Sequence, residues 1–227
     1  MDAEQGPPRS EGVVPLPARS ARAGVKERSS SGGVLLKSCI HQRRIQLAQG
    51  AQLARRLGAR FLDADAVLEE RIGMPIRSFF EQHGEQAFRD LEESILDELT
   101  QASNAFLGGL PDAPRAGLVL ATGGGAVLRE RNREHLHARG TVVYLRSSPE
   151  ELYRRLRHDT QRPLLQVADP MAKLRELYEQ RHPLYEQTAH YVVDTGRPSV
   201  GSLVNMIMMQ LDMAGVLPPP EGGAPES

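Results

Sequence analysis

The sequence predicts an α/β protein in which a parallel β-sheet carries helices on both faces, giving three layers. Short apolar runs at 117–122, 141–145 and 190–194 have the length and composition of buried strands. Segments of helical composition alternate with these runs, which is typical of a parallel sheet. Ligands of such proteins bind beyond the carboxyl ends of the strands, so the residues after each strand are the first candidates for chemistry.

The amino-terminal elements are predicted from composition and from the residues that end them. The run 51–57 is rich in alanine, leucine and arginine and predicts a helix that the following glycine terminates. A short strand at 60–62 and a helix at 66–71 follow. The segment 78–99 is predicted to be mostly helical, with a break near Gly84.

The carboxyl-terminal half continues the alternation. Glycines and prolines mark 104–117 as a loop that leads into the strand at 117–122. Further helices are predicted at 149–157, 170–181 and 200–213. These elements belong to one domain, expected at 34–216, between a leader at 1–33 and a tail at 217–227 that are too poor in large apolar residues to order themselves.

Composition narrows the function classes. A net charge of -1 and an aromatic content of 4% disfavour nucleic-acid binding. No apolar run approaches the roughly 20 residues that a membrane-spanning helix needs. The single cysteine, Cys39, cannot form an internal disulfide, and no secretory signal is recognisable. We therefore expect a cytoplasmic monomer that binds neither nucleic acid nor membranes.

Two carboxylates follow the strand at 60–62. Asp63 and Asp65 would point to the same side of an extended segment, where a cation or a hydroxyl donor would relieve their repulsion. This pattern indicates a hydroxyl-binding or metal-associated pair. The alternative is that an aspartate caps the helix from Ala66, and the residues alone leave both interpretations open.

Three glycines, Gly123, Gly124 and Gly125, end the strand at 117–122. Glycine lets a ligand approach the backbone and leaves N–H groups accessible, but a turn that needs positive φ would also select it.

Arg89, Arg162 and Arg181 are candidates to bind a carboxylate or phosphate with their planar guanidinium groups. Each could equally be a solvated surface charge.

Five motifs together resemble the shikimate kinase family over about 50–214. They are FLDAD at 61–65, GEQAFR at 84–89, LATGGGAV at 120–127, RPLL at 162–165 and RHPLY at 181–185. The segment VVDTGR at 192–197 fits the family's last strand and the loop after it. The resemblance implies a three-layer fold of the P-loop, nucleoside-monophosphate-kinase-like type.

The resemblance also implies an activity and a set of roles. The family phosphorylates the 3-hydroxyl of shikimate with ATP and Mg²⁺, in the biosynthesis of chorismate and the aromatic amino acids. Asp65 would bind shikimate hydroxyls and orient the attacking one, Arg89 and Arg181 would clamp the carboxylate, and Gly123, Gly124 and Gly125 would present backbone N–H groups. On the nucleotide side, the resemblance implies that Arg162 on a lid would reach the phosphates and that Asp63 would lie near the metal, through water. Arg197 and Arg155 would lie near the adenine.

One family motif is missing from this chain. Kinases of this type carry G-x-x-x-x-G-K-[ST] between the first strand and the first helix, for phosphate and Mg²⁺. This sequence has no Gly-Lys pair, and the family spacing puts Gln46 at the lysine position and Leu47 at the hydroxyl position. We therefore expect impaired kinase activity, and we expect the first strand to be missing too. Upstream, the pair Lys37-Ser38 resembles the end of the motif only weakly.

The abrupt start of the resemblance leads to the hypothesis that 1–49 reflects a translation frame error or an altered gene start. The alternative function is a non-catalytic or regulatory module that binds a shikimate-like ligand. Another small-molecule kinase of similar fold, such as a gluconate kinase, fits a carboxylate clamp less well.

Overall fold

The structure has short strands that alternate with helices along the chain. The computed structural model describes residues 33–38, 43–105, 117–156, 167–196 and 199–217. Within these ranges five parallel strands form one sheet in the order β2-β3-β1-β4-β5. The strands are β1 (Gly33–Ser38), β2 (Arg60–Asp63), β3 (Leu118–Thr122), β4 (Gly140–Arg146) and β5 (Tyr191–Asp194).

Helices connect the strands and cover both faces of the sheet. They are α1 (Arg43–Leu57), α2 (Ala64–Ile72), α3 (Ile76–Ala105), α4 (Glu130–Arg139), α5 (Pro149–Leu156), α6 (Pro170–Thr188) and α7 (Val200–Met213). None of the helices in the described ranges is both long enough and apolar enough to cross a bilayer.

The core has two layers because successive strand side chains alternate between the faces of the sheet. Val119 and Val143 pack with Leu53 of α1 and Ile207 of α7 on one face. The neighbouring residues on the strands pack toward α3, α4 and α6 on the other face: Leu118, Leu120, Val142 and Tyr144. The prediction of a parallel sheet with helices on both faces is confirmed.

The expectation that the first strand is missing was wrong. β1 lies at the centre of the sheet, where Val34 is level with Val119 of β3 and Thr141 of β4. A short extended segment is enough to form the backbone hydrogen bonds of a central strand, and the run GVLLKS is such a segment. Lys37 therefore belongs to a strand and not to a phosphate-binding loop.

Several helices also differ from the sequence prediction. α2 begins at Ala64, two residues earlier than expected. α6 continues beyond Pro183 to Thr188, because buried residues on both sides of the proline hold the helix in place. α4 was not predicted, since it is highly polar and buries only Asn132 and Leu136. The predicted break in α3 is confirmed at Gly84, where φ is 79°.

Candidate active site at the carboxyl edge of the sheet

The turn after β3 is shaped by its neighbours. Gly123, Gly124 and Gly125 lead into a single 3-10 turn at Ala126–Leu128, and the Gly123 carbonyl accepts a hydrogen bond from the Ala126 N–H at 3.2 Å. None of the three belongs to the glycines with positive φ. The interpretation that this turn requires positive φ was therefore wrong, and another reason must explain the glycines.

That reason is the close approach of two candidate side chains. A Cβ atom built on Gly123 would lie 2.6 Å from Oδ1 of Asp65. A Cβ atom on Gly125 would overlap both terminal nitrogens of Arg89. The structure thus places a carboxylate and a guanidinium directly against the backbone of the same turn.

Asp63 and Asp65 are not an extended pair, as the sequence led us to expect. Asp63 is the last residue of β2 and the N-cap of α2, and its Oδ1 accepts a hydrogen bond from the Asp65 N–H at 3.3 Å. Asp65 already lies in the first helical turn, where a negative charge is favoured by the helix dipole. The cap interpretation is therefore correct for Asp63, while Asp65 faces the glycine turn.

Arg89 is held by a buried partner that the sequence reasoning missed. Its Nη1 lies 2.6 Å from Oε2 of Glu92, whose side chain is only 3% exposed. Glu85 lies 3.2 Å from Nη2, and the guanidinium also lies 5.2 Å from the centre of the Phe88 ring. The i, i+3 spacing of an arginine and a glutamate was the available signal. Glu92 limits the orientations of the Arg89 side chain.

Helix α6, which bears Arg181, contacts the same turn. Tyr185 lies one helical turn after Arg181, and its hydroxyl donates a hydrogen bond to the Gly124 carbonyl at 2.7 Å. Arg181 Nε is buried and has no hydrogen-bond partner within the described part of the chain. A buried, unsatisfied cationic donor is costly without a ligand, so its environment suits an incoming anion.

Gln46 approaches the turn from the opposite side of the sheet. Its amide nitrogen donates to the Thr122 carbonyl at 3.3 Å, and its side chain is buried. The family spacing puts the phosphate-binding lysine at this position, and α1 already begins at Arg43. Only residues 39–42 separate the end of β1 from α1. Gln46 therefore does not offer the nucleotide phosphates the cationic contact that the lysine of a P-loop provides.

The residues expected on the nucleotide side are only partly described. Arg155 of α5 donates through Nη2 to the carbonyls of Thr195 and Gly196, just after β5. Arg162 and Arg197 lie outside the described residues. Among the described residues, no three His, Cys, Asp or Glu side chains are grouped so that they could hold a metal ion, so Asp63 would contribute to a metal site only with other ligands.

A network of aromatic and charged side chains surrounds His182, the residue that follows Arg181 on α6. His182 Nδ1 is 3.2 Å from the Tyr144 hydroxyl, and His182 Nε2 is 3.3 Å from Oε1 of Glu186. The His182 ring stacks on Tyr178 at 4.6 Å. Burial lowers the pKa of His182, and nearby Arg146 lowers it further, while Glu186 opposes the shift.

Comparisons with known proteins agree with this architecture. The shikimate kinase family model matches residues 48–212. A shikimate kinase from Paracidovorax citrulli is 53% identical over 171 residues, which cover 75% of this chain and 87% of the relative. One from Ralstonia nicotianae is 48% identical over 178 residues, covering 78% and 87%. The structure of a shikimate kinase from Acinetobacter baumannii in complex with shikimate is 37% identical, with a TM-score of 0.65 and coverage of 81% and 94%.

The fold and the strand-end site define a small-molecule kinase of the P-loop, nucleoside-monophosphate-kinase-like class. Within that class, the chain belongs to the shikimate kinase family, whose members are ATP-dependent enzymes of aromatic amino acid biosynthesis.

Proposed function

We propose that this protein binds shikimate in the cleft around the turn at 123–125, as the substrate of an ATP- and Mg²⁺-dependent phosphorylation of the 3-hydroxyl. One observation carries the proposal. Asp65, Arg89 and the helix that bears Arg181 all contact the same three-residue turn. This convergence of an acceptor, cations and backbone donors matches a ligand that has one carboxylate and several hydroxyl groups.

Each group has a distinct task in the proposed site. Arg89 and Arg181 neutralise the substrate carboxylate, since a guanidinium pairs with a carboxylate through two parallel hydrogen bonds. Asp65 accepts a hydrogen bond from a ring hydroxyl and orients it for attack. The buried pair of Arg89 with Glu92 fixes the clamp before the ligand arrives, which reduces the ordering cost of binding.

The proposed nucleotide site lacks the P-loop contacts that the family uses to bind ATP. Arg162 would act on the phosphates from a lid, Arg197 and Arg155 would line the adenine side, and Asp63 would lie near Mg²⁺. Bound Mg·ATP would supply the phosphoryl group and neutralise its developing charge. Because Gln46 donates to Thr122 where a lysine would reach the phosphates, we propose that transfer is impaired in this chain.

Restoring the loop tests the proposal. The variant Ile40→Gly, Ile45→Gly, Gln46→Lys, Leu47→Ser rebuilds the missing motif. Loss of even one transition-state donor typically costs about 100-fold in rate, so we expect the restored chain to turn over shikimate and ATP at least about 100-fold faster in a coupled ADP-release assay.

A matched control removes the substrate-side carboxylate from the restored chain. Asp65→Asn keeps the size of the side chain but loses the charged acceptor, and its rate should fall back toward that of the unrestored chain. Equal rates for the original and restored chains would contradict the impairment, and full activity of the Asp65→Asn control would contradict the site.

A non-catalytic shikimate-binding module is the second candidate. The hydrogen bond from Gln46 to the Thr122 carbonyl favours it, because it replaces a phosphate contact with an internal one. Calorimetry distinguishes the two candidates. Shikimate binding without any ATP binding supports the module, whereas binding of both ligands supports the kinase. In either case we propose a cytoplasmic location, since a lone cysteine suits a reducing compartment, and we propose that the protein is a monomer.

A further inference from the structure

Tyr185 joins helix α6 to the turn after β3. Its side chain is 0% exposed, and its ring stacks on that of Tyr144 at 5.0 Å between centroids. The hydroxyl donates to the Gly124 carbonyl at 2.7 Å. The ring is thus fixed by packing, and the direction of its hydroxyl fixes the direction of one carbonyl group in the turn.

The planarity of the peptide bond carries this constraint to the next residue. In a trans peptide, the carbonyl of residue 124 and the N–H of residue 125 lie in one plane and point in opposite directions. A Gly124 carbonyl directed at Tyr185 therefore turns the Gly125 N–H away from α6. The terminal nitrogens of Arg89 cover the same glycine, so the backbone of residue 125 lies next to one of the two arginines proposed to bind the carboxylate.

The carbonyl before the turn is fixed as well. The Thr122 carbonyl accepts from Gln46 of α1, so contacts from two helices hold the carbonyls on either side of Gly123. In the part of the chain that the structure describes, no acceptor is assigned to the N–H of Gly124 or Gly125. Two amide donors of the turn therefore stay available while its carbonyls are engaged.

We propose that Tyr185 is a positioning residue for the substrate: by holding the Gly124 carbonyl, it aims the Gly125 N–H at the same carboxylate that Arg89 and Arg181 bind. Arg181 lies one turn earlier on α6, so the single contact at Tyr185 also sets the separation between that arginine and the backbone donor. The inference rests on the proposed binding of shikimate and adds a residue that does not itself touch the ligand.

The substitution Tyr185→Phe tests the proposal, because it removes only the hydroxyl and keeps the stacked ring. We expect the Kd for shikimate, measured by calorimetry, to rise about tenfold, the scale of one lost oriented hydrogen bond. Tyr191→Phe on β5 is the matched control, since Tyr191 packs against the opposite core layer. Its Kd should stay within about twofold of the value for the unsubstituted chain.

A second readout separates positioning from simple support of the fold. In ¹⁵N-resolved spectra, shikimate should shift the Gly125 amide proton of the unsubstituted chain downfield, and the shift should shrink in Tyr185→Phe at saturating ligand. A purely structural hydroxyl would lower the melting temperature but leave both the Kd and the saturated Gly125 shift unchanged, and that result would overturn the proposal.

The outcomes distinguish this inference from the proposed function. If the unsubstituted chain binds shikimate and Tyr185→Phe binds it equally well, only the positioning role fails. If the unsubstituted chain does not bind shikimate, the proposed function fails and the positioning role fails with it.

Discussion

At the scale of single residues, the site depends on two glycines that have no side chain. Neither Gly123 nor Gly125 has a positive φ, but any side chain on them would occupy the space of Asp65 or Arg89. The two glycines therefore let charged groups lie directly against the backbone. This arrangement puts N–H donors and charged side chains within reach of one small ligand.

Gly125→Ala should disrupt the clamp without unfolding the protein. The new methyl group overlaps Arg89 Nη1 and Nη2, so the arginine must leave its position beside Glu92. We expect shikimate affinity to fall at least about tenfold, since a charge-assisted hydrogen bond contributes roughly 1.5 kcal/mol or more. Calorimetric titration of the purified variant measures the change.

Gly201→Ala in α7 is the matched control for that experiment. A Cβ atom there meets its nearest neighbours at 3.9 Å, an ordinary contact, and alanine in a helix reduces the entropy of the unfolded chain. Affinity should be unchanged and stability equal or higher by up to about 1 kcal/mol. Unchanged affinity in Gly125→Ala would show that Arg89 does not clamp the ligand.

The candidate residues could be found from sequence, but their surroundings could not. The motifs singled out Asp65, Arg89 and Arg181 because their residue types suit a polyhydroxy acid. Glu92, by contrast, is one of many glutamates on a helix, and only tertiary packing makes it a buried partner. Asp63 likewise acts as a helix cap only because α2 begins at Ala64.

At the scale of elements, α6 links the site to the core. One side of the helix is anchored by buried residues such as Leu174, Leu177 and Tyr185. His182 lies among Tyr144, Tyr178 and Glu186, in a partly buried position next to Arg181. Its protonation would place a charge in surroundings that already include Arg146.

The lowered pKa of His182 predicts a pH dependence of stability. The folded protein binds this proton less readily than the unfolded chain, whose histidine keeps the ordinary value of 6.5. The stabilisation from neutral His182 is therefore complete above about pH 6.5 and is lost as the pH falls below that value. His182→Gln, which cannot be protonated, should not show this loss.

Urea unfolding at several pH values measures this effect. As the pH drops below 6.5, the unfolding free energy of the original chain should fall relative to that of His182→Gln. His83→Gln, an exposed position on α3, is the matched control. A difference between the original chain and His182→Gln that is constant with pH would rule out a depressed pKa in the folded state.

At the scale of the whole molecule, β1 holds the two halves of the sheet together. It pairs with β3 on one side and with β4 on the other, while β2 and β5 form the edges. Without β1, the inner edges of β3 and β4 would expose unpaired backbone groups, which destabilises a sheet and promotes aggregation. We therefore expect the fold to depend on the segment just before the missing motif.

Truncation tests both this conclusion and the proposed domain boundary near residue 34. A variant that begins at Gly33 should unfold at the same urea midpoint as the full chain, because it keeps all five strands that the structure describes. A variant that begins at Cys39 should be unfolded or aggregated when its circular dichroism and size-exclusion profile are measured. A cooperative transition in the shorter variant would contradict a structural role for β1.

The sequence alone determined the fold class, most strands and helices, the family and the chemical types in the site. Those features depend on local patterns, such as apolar runs of strand length, glycine punctuation and motifs in fixed order. It could not locate β1 reliably, because a central strand is stabilised by pairing with segments far away in the chain. It also could not show that Gly123 and Gly125 are required for space, or that Glu92, Tyr185 and Gln46 hold the site. Those roles exist only once distant residues are packed together, since close approach and burial are properties of the assembled structure.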